Sequence, residues 1–172
     1  VSLDEAMAAI GAPEERLRWD SESFRTYEVL SPQADGDPLA EDVIYCVVPS
    51  PWPLMDRDFV QRRARMRLPE GGWSMIIQSV DDAEWRPPDK RYVRAFTYLS
   101  GYLLRPTEGG LELTLVSRAD LGGLVPPSIQ NLVRRLARQR PVAWVQKLAE
   151  HCGRLRAAGG ATASGPVARE LP

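Results

Sequence analysis

The chain has 172 residues, 44% of them hydrophobic and 26% charged, and a formal net charge of −1. That suffices for one domain with its own core, and the small charge gives no overall drive toward nucleic acid. No apolar run is long enough to span a bilayer as a helix, the two cysteines make no disulfide framework and fit a reducing compartment, and the one histidine makes no zinc pattern.

Residues 1–172 contain no secretory leader, and a first residue of Val leaves open where the natural chain begins. Ser2 to Glu5 reads as a capping box opening an Ala-rich helix to Ile10. Gly11 ends it, and Pro13 suits the first turn of a second short helix through about Arg18. Arg16 and Asp20 are four apart and can pair, with a surface ion pair as the ordinary outcome.

Strands are expected over Phe24–Ser31, Val43–Val48, Arg57–Leu68, Trp73–Val80, Arg91–Arg105 and Leu111–Ser117. Pro69-Glu70-Gly71-Gly72 is the cleanest turn, while 32–41 and 81–90 read as loops. Six strands with mostly short connections predict an antiparallel meander. After Pro126-Pro127 an amphipathic helix follows, with Ile129, Leu132, Val133, Leu136 and Val145 in its apolar stripe and a kink at Pro141. Residues 153–172, rich in Ala and Gly, read as a disordered tail beyond a domain of residues 1–152.

The stretch Pro49 to Arg63 joins a proline-stiffened loop bearing Trp52, Leu54 and Met55 to a strand opened by Arg57-Asp58. Three prolines exclude helix and central strand there. The loop either folds back on the core or serves as a gate or membrane contact.

This run resembles the signature of the START domain, the steroidogenic-acute-regulatory-related lipid-transfer family. Trp19-Asp20, Tyr92-Val93-Arg94-Ala95 and the run Arg118 to Pro126 resemble three further motifs of that family, in the same order. The resemblance covers about residues 13 to 152, and the nearest likeness is to the branch carrying phosphatidylcholine and phosphatidylethanolamine. It implies an α+β helix-grip fold, a curved antiparallel sheet wrapped on a long C-terminal helix with a tunnel between. The family has an N-terminal helix and three strands ahead of its W-D motif. Residues 1–18 do not hold them, so a truncated domain is expected, with an unpaired sheet edge near residue 24.

By the same resemblance the ligand is one zwitterionic glycerophospholipid and there is no other cofactor. Arg16 would contact its phosphate, a task that suits the guanidinium fork, with Asp20 as orienter. The positions of a choline cage correspond to Cys46, Phe59 and Tyr98, with Ser100 beside them. Two of a cage's three aromatic faces survive, so ligand preference is expected to be broader than choline alone. Arg63 is a further polar candidate, but Val43–Val48 offers it no acidic partner, so it is expected to point into solvent. The implied activity is lipid transfer between membranes by a cytoplasmic protein touching membrane transiently, with Trp52, Leu54 and Met55 at the interface and the basic helix attracted to anionic lipid. The alternatives are a lipid-sensing module without net transfer, or a small-molecule enzyme of the wider fold class. No nucleophile motif or paired acid and base supports the enzyme.

Overall fold

The computed structural model describes residues 2–31, 39–80 and 84–162, without the side chains of 156 and 158–162. Helices α1 (Leu3–Gly11) and α2 (Pro13–Asp20) lead into seven strands, β1 (Thr26–Ser31), β2 (Asp42–Val48), β3 (Arg57–Arg67), β4 (Trp73–Ser79), β5 (Val93–Arg94), β6 (Phe96–Thr107) and β7 (Gly110–Asp120). A 33-residue helix, α3 (Gln130–Thr162), closes the chain.

Local chemistry sets the early boundaries. The Ser2 hydroxyl accepts from the Glu5 amide and the Glu5 carboxylate accepts from the Ser2 amide, so both halves of the capping box form. The turn between β3 and β4 closes through Gly71 amide to Leu68 carbonyl, 2.9 Å, with Gly71 at φ 86°, where a side chain would be strained. The sheet is a meander, β1-β2-β3-β4-β6-β7, and every pair on that path is antiparallel.

Two sequence expectations change. The strand read over Arg91–Arg105 is two strands. Val93 and Arg94 run parallel to Arg57 and Asp58 of β3, and from Phe96 onward the chain belongs beside β4. The Arg94 guanidinium donates to Asp58 and to the Arg86 carbonyl, anchoring the first piece, and Ala95 is buried at the crossing. Alternation along a chain gives a face but not a neighbour, so this break carries no signal in residue periodicity. The second change is at the C-terminus, where α3 runs ten residues past the boundary expected at 152. Residues 163–172, like most of the loop at 32–41 and part of that at 81–90, lie outside the described residues. At Pro141 the helix neither ends nor restarts, although proline can give no hydrogen bond to the Ala137 carbonyl.

The main core lies at one end of the sheet. Trp73, Met75, Ile77 and Leu104 pack there against Ala6, Met7, Ala9 and Ile10 of α1, Trp19 of α2, and Leu148 and Cys152 of α3. α3 is thus clamped at its C-terminal half, and its N-terminal half stands over the other end of the sheet.

Candidate functional site

Between that N-terminal half and the sheet lies a cavity of about 540 Å³. Its floor is Phe59, Ser100, Tyr102, Leu115 and Ser117; its roof is Val133, Leu136, Ala137, Pro141 and Trp144; the loop 49–54 closes one end through Pro49, Pro51 and Leu54. The walls are mostly apolar. Polar groups gather to one side, namely Asp20, Glu22, Arg140 and Lys147, and on the floor the Ser100 and Ser117 hydroxyls are 2.8 Å apart.

The loop is braced from below. Arg57, buried, donates to the Met55 carbonyl at 2.6 Å and to the Leu121 carbonyl at 3.2 Å, and the Ser50 amide donates to Asp56 at 2.8 Å. Trp52 is 89% exposed and Met55 half exposed, while Leu54 turns into the cavity. The three apolar residues of the loop therefore divide between solvent and interior.

Arg16 and Asp20 pair, as their spacing allows, but inside the protein. Arg16 Nε donates to Asp20 Oδ2 at 2.9 Å, and the guanidinium lies against the faces of Trp19, Trp144 and Phe24 at 4.9, 4.9 and 5.6 Å. Asp20 also accepts from the Ser23 hydroxyl at 2.6 Å and borders the cavity, whereas Arg16 stands behind it. Its fork is directed at Asp20, and a phosphate in the cavity would have to break that contact.

The expected cage residues are dispersed. Cys46 and Phe59 are cross-strand partners in one small cluster with Ala95, and of the two only Phe59 reaches the cavity. Burial pushes the Cys46 thiol up to about 12, so it acts as a small neutral apolar group. Tyr98 is 48% exposed, edge-on to Phe96 and under the Arg118 guanidinium at 5.3 Å, and it does not border the cavity. The register between β6 and β7 slips at Tyr98, so the alternation that places Ser100 and Tyr102 on the inner face does not extend to it.

Arg63 requires a correction. It is fully buried, not exposed, and donates to both oxygens of Asp42, with the Nε contact at 2.7 Å. β2 begins at Asp42, one residue before the expected boundary, and Asp42 is the register partner of Arg63. Arg63 also reaches the Gly11 carbonyl at the end of α1 and the Tyr27 hydroxyl. It is a structural clamp and borders no part of the cavity. Of the helix residues, Val133 and Leu136 line the cavity, Ile129 and Leu132 are half-buried outside it, and Val145 is exposed.

Sequence reasoning missed Phe24, Leu115, Ser117, Arg140, Trp144 and Lys147. Trp144 was findable, since it follows Leu136 and Ala137 at helical spacing; Tyr102 likewise shares an inner face with Ser100. Arg140 donates to the Pro49 carbonyl at 2.9 Å and Lys147 to Glu22 at 2.9 Å. These contacts cross the open side from α3 to the loop and to the turn after α2, so they act as two latches. The hydrogen bond to Lys147 holds the Glu22 carboxyl below its usual range, and Glu22 in turn raises the Lys147 amine. The Lys147–Glu22 latch is therefore fully charged at neutral pH, weakens in acid as Glu22 protonates, and weakens in strong base as Lys147 loses its proton. Changing Arg140 and Lys147 together to Met is expected to speed release of an apolar probe from the cavity several-fold, an effect that falls with salt because the groups are exposed. Stopped-flow release of a fluorescent apolar probe measures it, and an unchanged rate would rule out the latches.

Among the described residues no helix is long and apolar enough to cross a membrane, and no group of three His, Cys, Asp or Glu could hold a metal.

A family model for the START domain matches residues 2–158. No curated protein matches. Among solved structures, the chain is similar to human STARD10, with TM-score 0.71 and 23% identity over 88% of this chain and 58% of that one. It is similar to human StAR-related lipid transfer protein 5, with TM-score 0.75 and 23% identity over 90% and 72%. It is also similar to the lipid transfer and protein localization domain of human StarD13, with TM-score 0.66 and 27% identity over 86% and 70%.

Proposed function

This chain belongs to the START domain family, and from that premise we propose that it holds one lipid between the sheet and α3 and carries it from membrane to membrane. The observation that carries this reading is the cavity of about 540 Å³, its walls mostly apolar and its charged groups at one side. Each buried methylene contributes about 0.8 kcal/mol, so a chain of ordinary length is drawn in strongly, and the polar side receives the head group.

A zwitterionic glycerophospholipid remains the first candidate, with a different head-group site from the one expected. Arg16 stands behind Asp20, whereas Arg140 and Lys147 border the cavity together with Glu22, so a phosphate and an ammonium there would exchange with the two latch contacts. Charges of both signs at one mouth suit a zwitterion.

Cavity size favours a second ligand. At roughly 30 Å³ per heavy atom, about the share of one water, 540 Å³ accommodates on the order of 20 atoms. That matches one acyl chain or a compact ring lipid, and two acyl chains would need α3 to lift from the sheet. Native mass spectrometry of the purified chain with extraction of its lipid decides between them. A diacyl lipid at one per chain supports the first candidate, a single-chain or ring lipid the second. Failure to bind or move either class between vesicles sinks the carrier reading.

The loop gives a separate prediction. Trp52 is nearly free of the protein surface, so its removal costs little stability. Loss of an interfacial tryptophan is expected to slow vesicle-to-vesicle transfer by roughly tenfold, from about 1.5 kcal/mol of lost burial in lipid, with the lipid content of the purified protein unchanged. Transfer by Trp52→Ala at the native rate would remove the loop from the mechanism.

A further inference from the structure

Ser100 of β6 and Ser117 of β7 lie directly across from one another, and their hydroxyl oxygens are 2.8 Å apart on the cavity floor. β6 has a strand on either side, β4 and β7, so the place of Ser100 is set within the described sheet. One step along the same inner face, Tyr102 lies opposite Leu115, and its ring stacks on Trp144 of the roof at 5.0 Å. Two hydroxyls hold two hydrogens, and the bond between them uses one. Among the described residues it is the only hydrogen bond of either side chain. The pair therefore keeps one hydrogen and several lone pairs for whatever lies on the floor. A hydroxyl left without a partner beneath a lipid costs about 1–3 kcal/mol.

We propose that this pair is a specificity site, and that it selects an uncharged lipid carrying one hydroxyl. The selection rests on the carrier reading of the cavity and gives the chemistry of its second, smaller ligand. A hydroxyl both accepts and donates, so a single such group takes the spare hydrogen of the pair and returns one to its lone pairs, closing a chain of three. An ester or ether oxygen only accepts, and meets half of that capacity. A carboxylate or phosphate needs cations. Two neutral hydroxyls supply none, and the cations at the mouth, Arg140 and Lys147, hold Pro49 and Glu22. A bare alkyl chain strands both hydroxyls under apolar atoms. Service to the sheet alone does not account for the pair. A cross-strand serine pair contributes about 0.2–1 kcal/mol there, and at a face covered by ligand or helix an apolar β-branched pair serves the sheet better.

Displacement of a fluorescent apolar probe from the 172-residue chain tests this. The competitors are an alkane, the primary alcohol of the same chain length and its methyl ether. The readout is the ratio of alcohol to alkane affinity, compared between variants so that differences in water solubility cancel. Ser100→Ala with Ser117→Ala is expected to lower that ratio by on the order of tenfold, with alkane binding as tight as before, which also shows that the fold persists. The ether-to-alkane ratio is expected to fall less, because the ether never used the lone pairs. Ser117→Thr keeps a hydroxyl and suits a strand, and is expected to hold the native ratio. With the alkane still displacing the probe, three results overturn the site: a ratio that the double change does not move, an equal loss in Ser117→Thr, or an ether that loses as much as the alcohol. If neither the probe nor any competitor binds, the carrier reading fails and the site goes with it.

Discussion

Asp42→Ala is expected to lower the free energy of unfolding by about 3–5 kcal/mol, the range for removing one partner from a buried ion pair. Asp42 serves two arginines. Arg63 meets both its carboxylate oxygens, and Arg65 Nη2 meets Oδ2 at 3.0 Å, with all three side chains almost wholly out of water. Burial, and then the like charge of Arg63, hold the Arg65 guanidinium below the usual arginine range. Without Asp42 the two cations keep only the Gly11 and Ala40 carbonyls and the Tyr27 hydroxyl. Neutral acceptors do not replace a carboxylate in low dielectric. Urea denaturation gives the loss as a shift in midpoint at constant slope. Replacing Asp42, Arg63 and Arg65 together by Met is expected to cost much less, because no charge is then stranded. A single-variant loss under about 1 kcal/mol would mean that water reaches the cluster.

Ala137→Trp is expected to reduce bound lipid by at least tenfold. Ala137 sits on the roof between Val133 and Pro141, directly over the floor residues. An indole adds on the order of ten heavy atoms, which at roughly 30 Å³ each fill about half the space. Helix propensity changes by well under about 1 kcal/mol, so the fold persists and the loss is specific to the ligand. The ratio of lipid to protein in native mass spectra measures it. Normal lipid content with normal transfer would place the ligand outside this cavity.

Several features were legible because they are local. Ser2 with Glu5 makes a capping box wherever it folds. Pro13 begins a helix because it has no amide to leave unpaired, and Gly71 turns because a left-handed backbone favours glycine. Alternation in Trp73–Ser79 and Gly110–Asp120 marks strands, and helical spacing from Leu132 to Leu148 marks α3. The motif order from Trp19-Asp20 to Pro126 pointed to the family and hence to a sheet wrapped on a helix.

By itself, then, the sequence determined most of the elements, their order and the family of the fold, but not the break between β5 and β6, because backbone preference and face periodicity are properties of neighbours in the chain. Only the tertiary structure decided which charges face the cavity. It turned Arg16 toward Asp20 and three aromatic rings, gave Arg63 to Asp42 instead of solvent, rotated Tyr98 away at a slip in register, and brought Arg140 and Lys147 to the mouth. A buried charge settles wherever a partner lies within about 3 Å, and here Arg65 finds the Gly11 carbonyl 54 residues distant along the chain.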